Sequence, residues 1–227
     1  MSKNKESMLK IAVFCGWSLI ASVALADNFQ LESGDLLFQD LNCGKFCDSV
    51  DSVTYGYNNS YVSHVAMVIN SSESAVQVIE AGSNGVVITP LNKFLTRSLD
   101  SHHHPRVMVG RLKPAYQYLI PIAIKDATQQ LGKPYNDSFI PAHGKSFYCS
   151  ELIADSFQEA NHQQVFFHSQ PMNFADNHGQ ILPLWRSYYQ GLKIPVPQGY
   201  PGTNPGMMSR ESMLVIVHEY GQLRKHN

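Results

Sequence analysis

Phe147-Tyr148-Cys149-Ser150-Glu151-Leu152-Ile153 is the stretch whose reading decides the fold. A loop carrying Pro141, Gly144 and Lys145 precedes it. From Cys149 to Ala160 the pattern turns helical: Leu152, Ile153, Ser156 and Phe157 fall on one face. Cys149 therefore stands at or beside a helix N-terminus. Unpaired amide N–H groups point outward there, and the positive end of the helix dipole favours an anion. A thiolate is an anion, so the position draws a cysteine pKa down from about 8.5 towards neutrality. Cys149 reads either as a nucleophile or as a small buried residue opening a core helix, because free cysteine is often buried.

Upstream, the chain alternates short strands and turns. Gly34-Asp35 forms a turn, and Leu36 to Phe38 a short buried strand. Val62 to Ile69 is a strand with Val62, His64, Ala66 and Val68 on one face and Val65, Met67 and Ile69 on the other. Ser71 to Ser74 is a hairpin turn into a second strand, Ala75 to Ala81, with Val76, Val78 and Glu80 on one face. Val86 to Thr89 is a third strand, and Pro90 opens a helix from Leu91 to Arg97. Arg106 to Leu112 is a fourth strand. Tyr116 to Leu131 reads as one helix closed by Gly132. Consecutive strands joined by tight turns imply an antiparallel sheet, and helices on either side make the class α+β.

Downstream, residues 162–210 are less regular. His178 to Tyr189 has too few periodic positions to assign. Phe174, Trp185, Tyr188 and Tyr189 read first as core, with a substrate-covering loop as the alternative. Residues 191–210 hold four prolines and three glycines between Pro195 and Gly206, a loop rather than a regular element. It is either a packed strap or a wall of a binding cleft. Met213 to Val217 is a final strand.

The whole chain has 227 residues, 44% hydrophobic and 15% charged, enough for one sizeable core. Lys3, Lys5 and Lys10 precede a short apolar run from Ile11 to Val23, and Ala24-Leu25-Ala26 supplies a small-x-small cleavage pattern. The run is shorter than the roughly 20 residues of a spanning helix. Residues 1–26 are thus expected to be a signal peptide and 27–227 the domain, exported and periplasmic, with no membrane span after cleavage. The first 26 residues take three of 17 basic and one of 18 acidic side chains with them. The mature net charge of −3 leaves no footprint for nucleic acid. Cys43, Cys47 and Cys149 then remain. The first two form a local disulfide or stay as two thiols; alone they do not make a zinc site. Cysteines four apart on a regular helix pair poorly, a constraint that a non-helical Cys43 relaxes. His102-His103-His104 reads as a solvated loop, so no metal or cofactor is expected.

Nucleophilic catalysis needs a base and a group that orients it. His64 sits early in an otherwise apolar strand, and Glu80 ends the next one. If the Ser71–Ser74 turn pairs these strands, imidazole and carboxylate can share a face and the same half of the sheet even if they are not exact cross-strand partners. Cys149, His64 and Glu80 then supply nucleophile, base and orienting group.

Five segments carry a resemblance: Gly34-Asp35-Leu36-Leu37-Phe38, Ser63-His64-Val65-Ala66-Met67-Val68, Val78-Ile79-Glu80-Ala81, Leu131-Gly132-Lys133-Pro134-Tyr135-Asn136 and Tyr148-Cys149-Ser150-Glu151-Leu152. In this order, over about 120 residues, the chain resembles the circularly permuted papain-fold hydrolases of the NlpC-type superfamily, the YiiX/YebB-like group. The resemblance implies a papain-like fold, Cys149 as nucleophile, His64 as base and Glu80 as its orienting partner. It places Tyr135 near the site as a wall or oxyanion contributor, with Tyr148 as a second wall residue. Asn136-Asp137 departs from the Tyr-Asp expected there, so the resemblance assigns Asp137 no role.

These readings converge on hydrolysis of an amide bond through a Cys149 thioester, with cell-wall peptides as substrates that suit the compartment. An esterase or acyltransferase acting on lipids by the same acyl-enzyme, and a binding protein without turnover, are the alternatives. The expected partner is a small-molecule, peptide or lipid substrate; the oligomeric state is not legible.

Overall fold

The computed structural model describes residues 29–72, 75–142 and 144–226. The expected signal peptide and the tip of the first hairpin, residues 73–74, lie outside the described residues. The elements in chain order are β1 (Leu36–Gln39), α1 (Lys45–Asp51), β2 (His64–Asn70), β3 (Gln77–Gly82), β4 (Gly85–Pro90), α2 (Leu91–Thr96), β5 (Val107–Leu112), α3 (Ile120–Gln129), α4 (Cys149–Ala160), β6 (Gln170–Pro171), α5 (Pro183–Leu192), β7 (Pro201–Gly202), α6 (Pro205–Met208) and β8 (Leu214–Glu219).

Six strands form one antiparallel sheet in the order β4-β3-β2-β1-β5-β8. Its central strands are apolar on both faces because both faces are covered. Val65 and Met67 of β2 join Leu36 and Phe38 of β1 against Leu152, Ile153 and Phe157 of α4. Ala66 and Val68 pack with Leu37, Val78 and Phe94 of α2 on the other side. This is the physical reason that β1 reads as an unbroken apolar run rather than an alternating one. The expected alternation fails only at Val62. It lies before the first residue of β2 and packs with Val65 and Met67.

The helix expected over Tyr116–Leu131 is two elements. A 3-10 stretch over Pro114–Leu119 runs into α3. Pro121 has no N–H to donate to the preceding turn, so the α-helical ladder starts only there. Gly132, with φ +80°, follows as expected of a C-terminal stop. The region that resisted assignment holds α5, which begins at Pro183 and buries Trp185 and Tyr189. Together with Phe174 these two rings form a third, smaller core against Phe46 and Val50 of α1.

Cys43 and Cys47 form a disulfide. Cys43 precedes the first residue of α1, so the pair is not held to helical i,i+4 geometry.

Candidate active site

Cys149 is the first residue of α4, and the helix buries Cys149, Leu152, Ile153, Ser156 and Phe157 against the sheet. Glu151 fixes this helix start. Its Oε2 accepts the Tyr148 N–H at 3.2 Å and the Asn136 amide at 3.0 Å, and its Oε1 accepts the Ala142 N–H at 2.8 Å. A carboxylate in the first turn also suits the helix dipole.

His64 opens β2 and is 6% exposed, as is Cys149. The β2–β3 register pairs Met67 with Ile79. His64 and Glu80 therefore meet diagonally, with Nε2 2.6 Å from Oε2. Nε2 is taken by Glu80, so Nδ1 is the ring nitrogen left to act on Cys149, whose charge favours the protonated ring. Burial pulls the imidazole pKa down, but the hydrogen bonds and charges of Cys149 and Glu80 outweigh it and push His64 up to about 9.

Glu80 is 3% exposed, and its oxygens are fully engaged. Arg97 donates Nη2 to Oε2 at 2.6 Å and Nη1 to Oε1 at 3.1 Å; Thr89 donates to Oε1 at 2.6 Å. Burial would raise this carboxyl, yet His64 and Arg97 hold it well below the usual carboxylate range. Arg97 is itself placed by Gln39 Oε1 at 2.8 Å and by the Phe94 ring, 4.4 Å from its guanidinium carbon. Gln39 in turn donates to the Phe94 carbonyl at 2.9 Å. Arg97, Thr89, Gln39, Phe94 and the Asn136–Glu151 pair were absent from the sequence reading. Thr89 had a signal: Glu80 pairs with Val87, so Thr89 lies two positions on, on the same face of β4. Arg97 and Gln39 had none, because their meeting depends on how α2 folds back across the sheet.

Tyr135 and Tyr148 both line the cavity beside Cys149. Tyr135 is set there by a tight junction. The Val86 N–H donates to the Lys133 carbonyl at 2.9 Å, and Phe147 brackets Tyr135 by accepting the Asn136 N–H and donating to the Pro134 carbonyl, both at 3.1 Å. Gly85 permits this, since a Cβ there would lie 2.3 Å from the Lys133 carbonyl oxygen. Burial and the charge of Cys149 push the Tyr135 phenol well above its ordinary range. The Tyr148 hydroxyl accepts the Thr203 N–H at 3.2 Å, and burial pushes its phenol up to about 12. Asp137 is not among the cavity residues; its backbone carbonyl accepts the Tyr188 hydroxyl at 2.8 Å.

The cavity walls are largely apolar. Phe46, Val50, Phe139, Met172, Phe174 and Trp185 supply much of that surface, hydroxyls and amides such as Ser63 and Asn173 interrupt it, and no charged side chain takes part. The aromatic residues read as core or platform are thus divided. Phe174 and Trp185 face the cavity, while Tyr188 and Tyr189 pack around them. From the loop at 191–210, Thr203, Asn204 and Pro205 reach the cavity, and Thr203 is tied to Ser150 of α4 by a 3.1 Å hydroxyl contact. The three histidines at 102–104 are exposed. Among the described residues, no group of three or more His, Cys, Asp or Glu is placed to hold a metal ion, and no helix is long and apolar enough to cross a membrane.

A structure described as the metalloprotein yiiX from Escherichia coli O157:H7 has the same fold. The TM-score is 0.64 at 21% identity, covering 84% of this chain and 98% of that one. No curated protein sequence matches. The model of the permuted papain-like amidase enzymes, YaeF/YiiX, C92 family, matches residues 30–218. Most of the chain lies inside that match, and the chain belongs to this family of cysteine amidases.

Proposed function

We propose that the protein is an exported thiol hydrolase that cleaves an amide or ester bond of an apolar acyl group through a Cys149 thioester. The single observation that carries this reading is the hydrogen-bonded series His64–Glu80–Arg97 with Cys149 buried at the head of α4, beside a cavity without charged walls. His64 holds the thiol proton as an imidazolium paired with the sulfur, and that sulfur attacks the acyl carbonyl. The oxyanion is held by the Cys149 N–H at the helix start and by the Tyr135 hydroxyl, which stays protonated throughout the neutral range. His64 then gives its proton to the leaving amine or alcohol, and the thioester forms. Water, deprotonated by the same imidazole, hydrolyses it to the acid and restores the thiol. Glu80 keeps the imidazolium in place and compensates its charge.

Cell-wall peptides match the cavity less well, because their carboxylates and amines would lose hydration there with no opposite charge to pair with. An alkyl acyl group loses nothing there and gains burial. Export is supported by the basic, apolar and small-x-small pattern of residues 1–26 and by the Cys43–Cys47 disulfide, a bond typical of oxidising compartments. The structural relative is described as a metalloprotein, but the donors here do not fit a metal. Glu80 is consumed by His64, Arg97 and Thr89, and the site offers one imidazole. No step is routed through an ion.

The test is to trap the intermediate. Intact mass after brief exposure to p-nitrophenyl hexanoate should show one hexanoyl group, mapped to Cys149 and absent from Cys149→Ala. Turnover by Cys149→Ala at the wild-type rate sinks the mechanism. Release from charged peptides alone, with no action on apolar acyl donors, sinks the assignment of the acyl group.

A further inference from the structure

The wall of the cavity contributed by α1 is held in an unusual way. The helix has seven residues, and no side chain caps its N-terminus, where Gly44 has φ +70°. A helix this short is not stable by itself, so its position depends on what ties it down. Arg224 pairs with Asp51, the last residue of the helix, at 2.9 Å and with the exposed Asp48 in its first turn at 3.2 Å. At its near end the tie is the Cys43–Cys47 disulfide. Phe46 lies between the two cysteines in sequence, directly before Cys47. Its ring packs on Trp185 at 5.4 Å and on Tyr188 at 5.5 Å, and it lines the same cavity as Cys149.

The ring contacts also say which end of the cavity Phe46 occupies. Tyr148, next to the nucleophile, meets Phe139; Phe139 meets Trp185; Trp185 meets Phe46. Phe46 is therefore separated from Tyr148, the neighbour of the nucleophile, by two intervening rings. An acyl chain attached to Cys149 would reach it with its distal carbons.

We propose that Phe46 is the residue that sets acyl-chain length, and that the Cys43–Cys47 disulfide holds it in place, which makes chain-length selectivity dependent on the oxidation state of that pair. This rests on the apolar acyl-group reading above. The redox step is ordinary exchange with a dithiol. Two electrons from the dithiol break the S–S bond, each cysteine sulfur takes one proton, and the dithiol becomes a disulfide. Cys43 is exposed and gives the reductant its entry, whereas Cys47 is 3% exposed. Reduction leaves the first turn of α1 held by its packing and by the exposed Asp48–Arg224 pair, a weak tie, so Phe46 is loosened and the distal carbons lose their fixed contact. The loop that the disulfide closes is very short and constrains the unfolded chain little, so its loss acts locally rather than on global folding.

The experiment compares kcat/KM for p-nitrophenyl acetate, hexanoate and dodecanoate. The enzymes are the oxidised wild type, the wild type reduced by dithiothreitol and freed of it without air, the Cys43→Ser/Cys47→Ser variant, and Phe46→Ala. Selectivity for dodecanoyl over acetyl should fall about fourfold for each methylene that loses burial. The loss should appear in KM, with acetyl turnover of the Cys43→Ser/Cys47→Ser variant at the wild-type level. A graded wild-type profile that reduction and Phe46→Ala both leave unchanged overturns the inference and leaves the acyl cavity standing. A change in Phe46→Ala without any change on reduction overturns the role of the disulfide. A profile flat with chain length in the oxidised wild type overturns the acyl-cavity reading and this inference with it. If the double serine variant fails to fold, the reduced wild type and Phe46→Ala still decide the matter.

Discussion

Replacing Glu80 by glutamine tests the core of the mechanism, because the shape is kept and the charge is lost. Glu80 accepts four hydrogen bonds: His64 and Arg97 at one oxygen, Thr89 and Arg97 at the other. An amide has one oxygen and one donor group. With its oxygen towards His64, its NH2 meets an Arg97 N–H; flipped, the NH2 meets the imidazole. Either way a buried donor is left facing a donor, which costs about 1–3 kcal/mol. Arg97 is 34% exposed and can turn to water, which holds the stability loss to the lower part of that range. The larger effect falls on His64. Its rise to about 9 amounts to roughly 3 kcal/mol of preference for the protonated ring. Cys149 is the leading favourable cause and Glu80 the next. Losing one opposite charge at this distance lowers a pKa by ~1–2 units. The alkaline limb of kcat/KM should then move from about pH 9 down to about 7–8. Turnover at pH 7 should fall by ~10- to 100-fold, or ~1.4–2.7 kcal/mol of barrier. That is less than in His64→Ala, which removes the base itself. The stability signs follow. The raised His64 pKa contributes fully below about pH 6.5 and is lost as pH rises through 9, whereas the lowered Glu80 pKa contributes above the ordinary carboxylate range and is lost as pH falls below it. The assay is a pH–rate profile with p-nitrophenyl hexanoate beside a urea melt. An alkaline limb still at pH 9 with wild-type kcat/KM would refute the reasoning.

Brief iodoacetamide treatment of unreduced protein should label Cys149 and leave Cys43 and Cys47 unmodified, with peptide mass mapping as the check; label on either of the pair counts against the disulfide. Glu151→Gln should lower the melting temperature by ~2–6 °C through ~1–2 kcal/mol lost at the start of α4, and should slow turnover by displacing Cys149. Asp51 is pushed up to about 7, chiefly by burial and by Asp40. An acid with a raised pKa subtracts stability as pH climbs above its unfolded value, so the wild-type melting temperature should fall between pH 5 and 8 and that of Asp51→Asn should fall less. Parallel slopes for the two proteins would remove Asp51 as the cause.

The parts of the fold that were legible are those fixed by local pattern. Leu36 to Phe38 had to be a buried strand, and the period of Leu152, Ile153 and Phe157 had to be a helix with Cys149 at its head. His64 and Glu80 could be placed on one face because two strands joined by a short turn leave few alternatives. What escaped depends on contacts between residues distant in sequence. Arg97 reaches Glu80 only because α2 folds back over β3 and β4. The Trp185 cluster is a core of its own, made from α1, α5 and the loop between α4 and α5, and no period within any one of these announces it. The helix expected to begin at Tyr116 failed for a local reason that was readable, the missing N–H of Pro121.

The order of charges across the site explains how so polar a constellation survives burial. Once the thiol proton has moved, the groups run sulfur anion, imidazolium, carboxylate, guanidinium, each beside its opposite. Three of the four are almost wholly buried, and an isolated ion in such surroundings would be neutralised rather than kept. Alternation offsets that cost, because each charge stands beside its opposite, with Glu80 at 2.6 Å from both His64 and Arg97, and the series sums to zero. Only Arg97 touches water appreciably, so the series ends where solvent can screen its last charge. The same order explains why His64 is held above its ordinary pKa while Glu80 is held below its own. Protonating Glu80 would strand both cations, and deprotonating His64 would strand both anions. Such a site resists titration over the neutral range, and its chemistry reduces to moving one proton between Cys149 and His64.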